Sequence, residues 1–181
     1  MLCLVKKEQT MKVSIVLPAK NESAAIGQTI AQIQLLQLAH EVIVVNDGST
    51  DQTKQVAETA GAKVVTHPYS KGNGAAIKTG ARTATGDIIV FMDADGQHDP
   101  QDIPRLIEKI QQGYDLVVGA RQKGSQASVG RGIANALYNN LATYMTEQKV
   151  EDLTSGFRAV RADKFREFLY LLPNGFSYPT T

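Results

Sequence analysis

The sequence predicts an α/β fold built on a mainly parallel sheet. Short apolar runs at Val13–Leu17, Val42–Val45 and Ile88–Met92 have the length and β-branched content of buried strands. Segments of helical periodicity alternate with such runs through the first two thirds of the chain. Each run also ends abruptly in a polar turn, at Pro18–Glu22, Asp47–Asp51 and Asp93–Gln97. Right-handed crossovers bring the carboxyl ends of parallel strands to one side, where open α/β sheets bind ligands. These turns, with Arg121, are expected to line one crevice.

The elements follow in order. Val13–Leu17 is the first strand, stopped by Pro18. A helix is expected from Ser23 to Leu38, with Ile26, Ile30, Ile33 and either Leu36 or Leu38 on its apolar face. Glu41–Asn46 is the second strand, and its acidic turn feeds a helix from Asp51 to Ala60 that Gly61 terminates. Lys63–Thr66 is a short third strand. Lys71-Gly72-Asn73-Gly74 opens a helix over Ala75–Ala84, and the strand starting at Ile88 follows. Asp99-Pro100 caps a helix over Gln101–Gln111, with Gly113 behind it. Leu116–Gly119 and Phe157–Val160 read as strands, and Arg131–Met145 and Ala162–Leu171 as helices. Pro173–Thr181 shows no terminating signal.

Composition narrows the class. The chain has 181 residues, 43% hydrophobic and 20% charged, enough for one domain with a core. A net charge of +1 gives no field that would draw it to nucleic acid or a charged membrane. Cys3 is the single cysteine, so no internal disulfide or cysteine-based zinc site forms, and a reducing, cytoplasmic setting is expected. No apolar stretch is long enough to span a bilayer. Met1–Val5 is too short for a signal peptide, with Lys6, Lys7 and Glu8 behind it. Residues 1–11 read as an extension, with Met11 as an alternative start, and 12–181 as the domain.

The run Ile88–Met92 ends in Asp93-Ala94-Asp95-Gly96-Gln97-His98. Strand alternation lets Asp93 and Asp95 point the same way at its carboxyl end. Two such carboxylates repel unless a cation lies between them, and hard oxygen ligands suit Mg²⁺ or Mn²⁺ shared with phosphates. The plainer reading is a polar turn between strand and helix. A dinucleotide-binding fold would need a glycine-rich first turn, and Pro18-Ala19-Lys20-Asn21-Glu22 has none. A P-loop would need glycine before Lys78-Thr79, where Ile77 stands.

Six collinear motifs, VSIVLPAKNE, VIVVNDGSTD, KGNGAAIKTG, VFMDADGQHDP, VVGARQKG and DLTSGFRAV, resemble family 2 glycosyltransferases. Within that family they look like the dolichyl-phosphate mannosyltransferase and polyprenyl-phosphate glycosyltransferase branch. The resemblance runs from Lys12 to Phe168. It implies a GT-A fold, a nucleotide-sugar donor carrying GDP or UDP, a divalent metal and inversion at the anomeric carbon. It implies nucleoside contacts at Pro18, Ala19, Glu22 and Asp47, where Asp47 would accept from a base N–H or simply cap a helix. Lys71 and Gly72, before a helix N-terminus, would neighbour the diphosphate or form a surface turn. Asp93, Asp95 and Gln97 match the metal site, with Mg²⁺ or Mn²⁺ the expected cofactor; His98 is a further ligand or a packing residue. Arg121 and Arg131 match contacts to acceptor phosphate, and Asp152 the acceptor-side position where a base could stand. Tyr138, Tyr144 and Met145 would line a lipid groove or pack in the core. Lys20 and Asn46 depart from the Tyr and Asp that many relatives carry there. The implied partners are a nucleotide sugar and a polyprenyl phosphate at a membrane surface, with no nucleic acid. The protein would then lie peripheral to the membrane or be the soluble domain of an anchored one. Relatives usually continue with another strand and a basic segment, so a domain cut short after Phe176 is expected. The rival readings are transfer to a sugar hydroxyl, a sugar-phosphate nucleotidyltransferase, and a nucleotide- and metal-binding module without turnover.

Overall fold

The computed structural model describes residues 11–119, 155–172 and 174. Strand β1 (Val13–Ala19) lies between β2 (Glu41–Asn46) and β4 (Ile88–Phe91), parallel to both. β3 (Lys63–Thr66) adds in parallel outside β2. On the other side β6 (Arg158–Arg161) runs antiparallel to β4 and to the edge strand β5 (Leu116–Val118). The order is therefore β3-β2-β1-β4-β6-β5. The chain winds outward from β1 to β3, then crosses back to β4 on the opposite flank. That reversal opens a crevice beyond the carboxyl ends of β1, β2 and β4.

Strand alternation divides the core into two layers. Ile15, Leu17, Val44 and Val90 face one side, under α1 (Ile26–Leu35), α2 (Thr53–Thr59) and α4 (Ile103–Gln111). Val16, Ile43, Val45, Ile89 and Phe91 face the other, under α3 (Asn73–Thr83) and α5 (Ala162–Phe168). α3 sits close on the sheet because it carries Gly80 there: a Cβ at that position would overlap Val16 Cγ1. Phe91 meets Phe165 with ring centroids 5.1 Å apart, which locks α5 to β4.

Several expected boundaries move, each for a physical reason. Pro18 does not stop β1; the strand continues to Ala19, paired with β2. Val16 O accepts from Met92 N, and Ala19 O from Asp47 N. By alternation the Pro18 nitrogen faces the β4 side beyond Phe91, where no ladder bond is required. α1 starts at Ile26 rather than Ser23, because Ala25 and Ile26 close a turn on Glu22 O first. Ile26, Ile30 and Ile33 are fully buried and Leu36 packs beside them, whereas Leu38 is exposed. α3 starts earlier than expected, at Asn73, and a 3₁₀ turn over Pro100–Asp102 precedes α4. Asp99 caps that turn by accepting from Gln101 N at 2.9 Å. The Arg131–Met145 helix, Tyr138, Tyr144 and Met145 lie outside the described residues. No helix among the described residues is long and apolar enough to cross a membrane.

Candidate functional site

The crevice at the strand ends has a volume of about 350 Å³. Pro18, Ala19, Lys20 and Glu22 come to it from the end of β1, Asp47 from β2, Ser70, Gly72 and Asn73 from the loop before α3, and Asp93 and Asp95 from β4. Seven residues singled out in the sequence, Pro18, Ala19, Glu22, Asp47, Gly72, Asp93 and Asp95, thus line one cavity. Lys71 and Gln97 are not among the residues that line it. Arg121, Arg131 and Asp152 lie outside the described residues.

Side-chain bonds tie the first two loops together. Asn21, at φ +58°, accepts from Thr50 N at 2.8 Å, and its own N–H donates to Ser49 Oγ at 3.0 Å. Glu22 N donates to Thr53 Oγ1 at 2.8 Å, and Ser23 N to Asp51 Oδ2 at 3.1 Å. The Thr53 hydroxyl, then the Ser23 side chain, then the Thr53 and Ser23 amides hold the Asp51 carboxyl far below the usual range. Asn46, a departure from the family pattern, is buried and accepts from Ser49 N at 3.1 Å, closing the turn after β2.

Asp47 is 5% exposed and meets four donors. Oδ1 accepts from His67 Nδ1 at 2.7 Å and Lys71 N at 2.8 Å. Oδ2 accepts from Ser70 Oγ at 2.8 Å and Gly72 N at 2.9 Å. Burial alone would raise its pKa, but these hydrogen bonds outweigh burial and hold the carboxyl below its usual value. The backbone amides at Lys71 and Gly72 are thereby committed to Asp47. The Lys71 ammonium lies 5.7 Å from the centre of the Tyr69 ring, in cation–π range.

Asp93 and Asp95 face a different balance. Asp95 Oδ1 accepts from Gln97 N at 3.0 Å, which shapes the turn, and the Gln97 side chain is exposed. Asp93 Oδ2 lies 3.6 Å from His98 Nε2, and the His98 ring stacks on Phe157 with centroids 5.2 Å apart. His98 therefore packs between Phe157 and Asp93. Gly156 also lies close to it: a Cβ there would overlap the Asp93 carboxylate. Ser155 is fully buried, and its carbonyl accepts from Arg158 Nε at 2.8 Å. The Ser155–Arg158 stretch thus packs against Asp93 through Gly156.

Glu22 reports the charge at the mouth of the crevice. Its carboxyl is pushed up, first by burial, then by Asp95, Asp51 and Asp93. The site holds an excess of negative charge, as a divalent cation site should. No cluster of three or more His, Cys, Asp or Glu able to hold a metal occurs among the described residues. Two carboxylates with remaining positions left to phosphate and water is the usual magnesium arrangement, so the residues fit Mg²⁺ or Mn²⁺ bound together with a diphosphate. Ser70 also lines the crevice, and His67 and Thr79 stand behind it, His67 bonded to Asp47 and Thr79 to His67. Sequence reasoning missed them because each reads as an ordinary loop or helix residue.

The fold is that of the GT-A class, and the family model for glycosyl transferase family 2 matches residues 14–169. The chain belongs to that family. It is 34% identical over 164 residues to the undecaprenyl-phosphate 4-deoxy-4-formamido-L-arabinose transferase of Photorhabdus laumondii, covering 85% of this chain and 50% of the relative. The Yersinia pestis (strain Pestoides F) protein of the same name is 33% identical over 193 residues, covering 96% of this chain and 59% of the relative. The chain thus spans about half the length of the curated relatives it matches. Among solved structures, Mycobacterium tuberculosis glucosyl-3-phosphoglycerate synthase in complex with Mn²⁺ and UDP-glucose superposes with a TM-score of 0.71 at 32% identity. That match covers 84% of this chain and 57% of the synthase.

Proposed function

We propose that this chain is the donor-binding and catalytic domain of an inverting glycosyltransferase. It passes one sugar from a nucleoside diphosphate to a polyprenyl phosphate at a membrane surface. The observation that carries the reading is the convergence of Asp93, Asp95 and Glu22 on one crevice, with the charge excess that Glu22 registers. A dianionic diphosphate is repelled by such a site unless a divalent cation accompanies it. Asp93, Asp95 and Gln97 are the residues that would hold Mg²⁺ or Mn²⁺, which when bound supplies Lewis-acid stabilisation to the departing diphosphate. Pro18, Ala19, Glu22 and Asp47 bound the nucleoside side of the donor, and Lys71 and Gly72 its phosphate side.

In the transfer, an oxygen of the acceptor phosphate forms a bond to the anomeric carbon. The bond from that carbon to the diphosphate breaks, and the nucleoside diphosphate leaves with the electron pair. Arg121 and Arg131 hold the acceptor phosphate. A phosphate monoester has a second pKa of about 6, so its oxygen is already ionised at neutral pH and needs no base. Asp152 therefore orients the acceptor loop. The match to undecaprenyl-phosphate transferases supports this acceptor. A second reading, transfer to a hydroxyl of a small phosphorylated acid, draws on the likeness to Mycobacterium tuberculosis glucosyl-3-phosphoglycerate synthase.

The acceptor test is Asp152→Asn, which keeps shape and hydrogen bonding while removing basicity. Transfer from UDP- and GDP-sugars to undecaprenyl phosphate with Mn²⁺ should stay within about tenfold of wild type, below the usual general-base effect of about 10²–10⁴. A loss of about a thousandfold, with folding and donor binding intact, would make Asp152 a base and move the assignment to a hydroxyl acceptor.

A further inference from the structure

Asp47 and His67 are both buried, at 5% and 6% exposure, although each carries polar atoms that need partners. A carboxylate offers roughly four lone-pair directions, and Asp47 fills them with His67 Nδ1, Lys71 N, Ser70 Oγ and Gly72 N. Three of those donors come from one short segment, Ser70–Gly72. An ionised carboxylate only accepts, so His67 Nδ1 carries the proton in this bond. In the neutral ring Nε2 is then an acceptor, and Thr79 Oγ1, 2.9 Å away, donates to it. The chain of bonds runs from the middle of α3 through His67 and Asp47 to the loop. Gly48, next to Asp47 in the same turn, also packs against the loop. Its φ is +66°, and a Cβ there would stand 2.6 Å from Ser70 N and 2.7 Å from Tyr69 C. The loop is therefore held against the turn after β2, where a buried imidazole backs Asp47.

The geometry points to His67 as a positioning residue for the donor site. Through Asp47 it fixes the Ser70–Gly72 wall of the crevice, and its ring is not among the groups lining the cavity. This rests on the donor reading proposed above. It also changes what Asp47 does there. With all four directions taken, Asp47 acts on a nucleotide by shaping the wall, since accepting from a base N–H would mean releasing a loop donor.

Three variants separate this role from general packing. Asn places its amide nitrogen near the position of His Nδ1 and donates to Asp47; Gln places its amide further out, near Nε2, and serves Thr79. In His67→Ala and His67→Gln, amide hydrogen exchange at Lys71 and Gly72 should quicken by about tenfold or more, the scale of losing one hydrogen bond to a charged group. The dissociation constant for UDP–Mn²⁺ or GDP–Mn²⁺, whichever wild type binds, should rise by a similar factor. His67→Asn should restore both to within about threefold. Equal exchange rates and affinities in the Asn and Gln variants would overturn the inference, because a packing role does not distinguish them. Should wild type bind neither nucleotide with Mn²⁺, the donor reading falls, and exchange at Lys71 and Gly72 in the free protein still decides the role of His67.

Discussion

Glu22 is the residue on which the electrostatics of the crevice can be read most directly. Burial and the carboxylates of Asp95, Asp51 and Asp93 raise its pKa above the ordinary 4.5. A raised folded pKa means that the folded chain binds the proton more tightly than the unfolded one. The stability linked to Glu22 is then complete below 4.5 and is lost as pH rises through the folded value. Ionised Glu22 is thus a cost at neutral pH in the metal-free protein. Glu22→Gln removes the charge and leaves the backbone bonds of Glu22 to Thr53, Ala25 and Ile26 in place. The variant should melt higher than wild type near pH 7 without metal, by a degree or more, with the gap closing below about pH 4. An equal or lower melting temperature at pH 7 would remove the charge-excess argument. Asp47 has the opposite sign: its lowered pKa contributes stability above 3.8 that is lost as pH falls through the folded value. The positions of Asp47, Asp93 and Asp95 were legible in the sequence because each is an acidic residue in the turn that follows an apolar run. His67 was not, since its partners stand 20 residues before it at Asp47 and 12 after it at Thr79, and only the closed sheet brings them together.

At the scale of elements, the turn entering β6 governs the geometry of the turn leaving β4. Gly156 lies against the Asp93 carboxylate, and Phe157 carries the His98 ring that faces the same group. An Ala at Gly156 would force Asp93 to shift. Outer contacts of a metal ligand typically alter affinity by about 10–100-fold, so Gly156→Ala should weaken Mn²⁺-dependent nucleotide binding by that range. Calorimetric titration of UDP or GDP with Mn²⁺ measures it, and unchanged affinity would show that Asp93 moves without consequence. The sequence placed both segments correctly as a strand end and a strand start. It could not show them touching, because a strand as short as the four residues of β6 carries no direction. Its antiparallel pairing with β4 is what brings Phe157 back beside His98. The helix starts were legible only to within a few residues for a related reason. Turns such as the one on Glu22 O satisfy the first amides before regular helix begins.

For the whole molecule, the switch in strand order places the crevice, while the charge distribution decides what can enter it. The alternation of apolar runs and helical segments was enough to place β1 to β4 and the crevice beyond them. A net charge of +1 conceals a local excess of carboxylate, and on the proposed donor reading that excess would make metal and nucleotide mutually dependent. A divalent ion alone finds two carboxylates and water. A diphosphate alone brings negative charge to Asp93, Asp95 and Glu22. Together each supplies what the other lacks, so their binding free energies should couple favourably. Ligand binding to the folded state stabilises by RT ln(1 + [L]/Kd), about 2.7 kcal/mol at a hundredfold excess over Kd. At the same concentrations, UDP or GDP alone should leave the melting temperature nearly unchanged and Mn²⁺ alone should raise it slightly. The two together should raise it by several degrees, more than the sum of the separate shifts. Glu22→Gln should narrow that difference, because it lowers the repulsion felt by nucleotide alone. A nucleotide that gave the full shift without metal would show that the Asp93–Asp95 pair is not where the diphosphate charge is met.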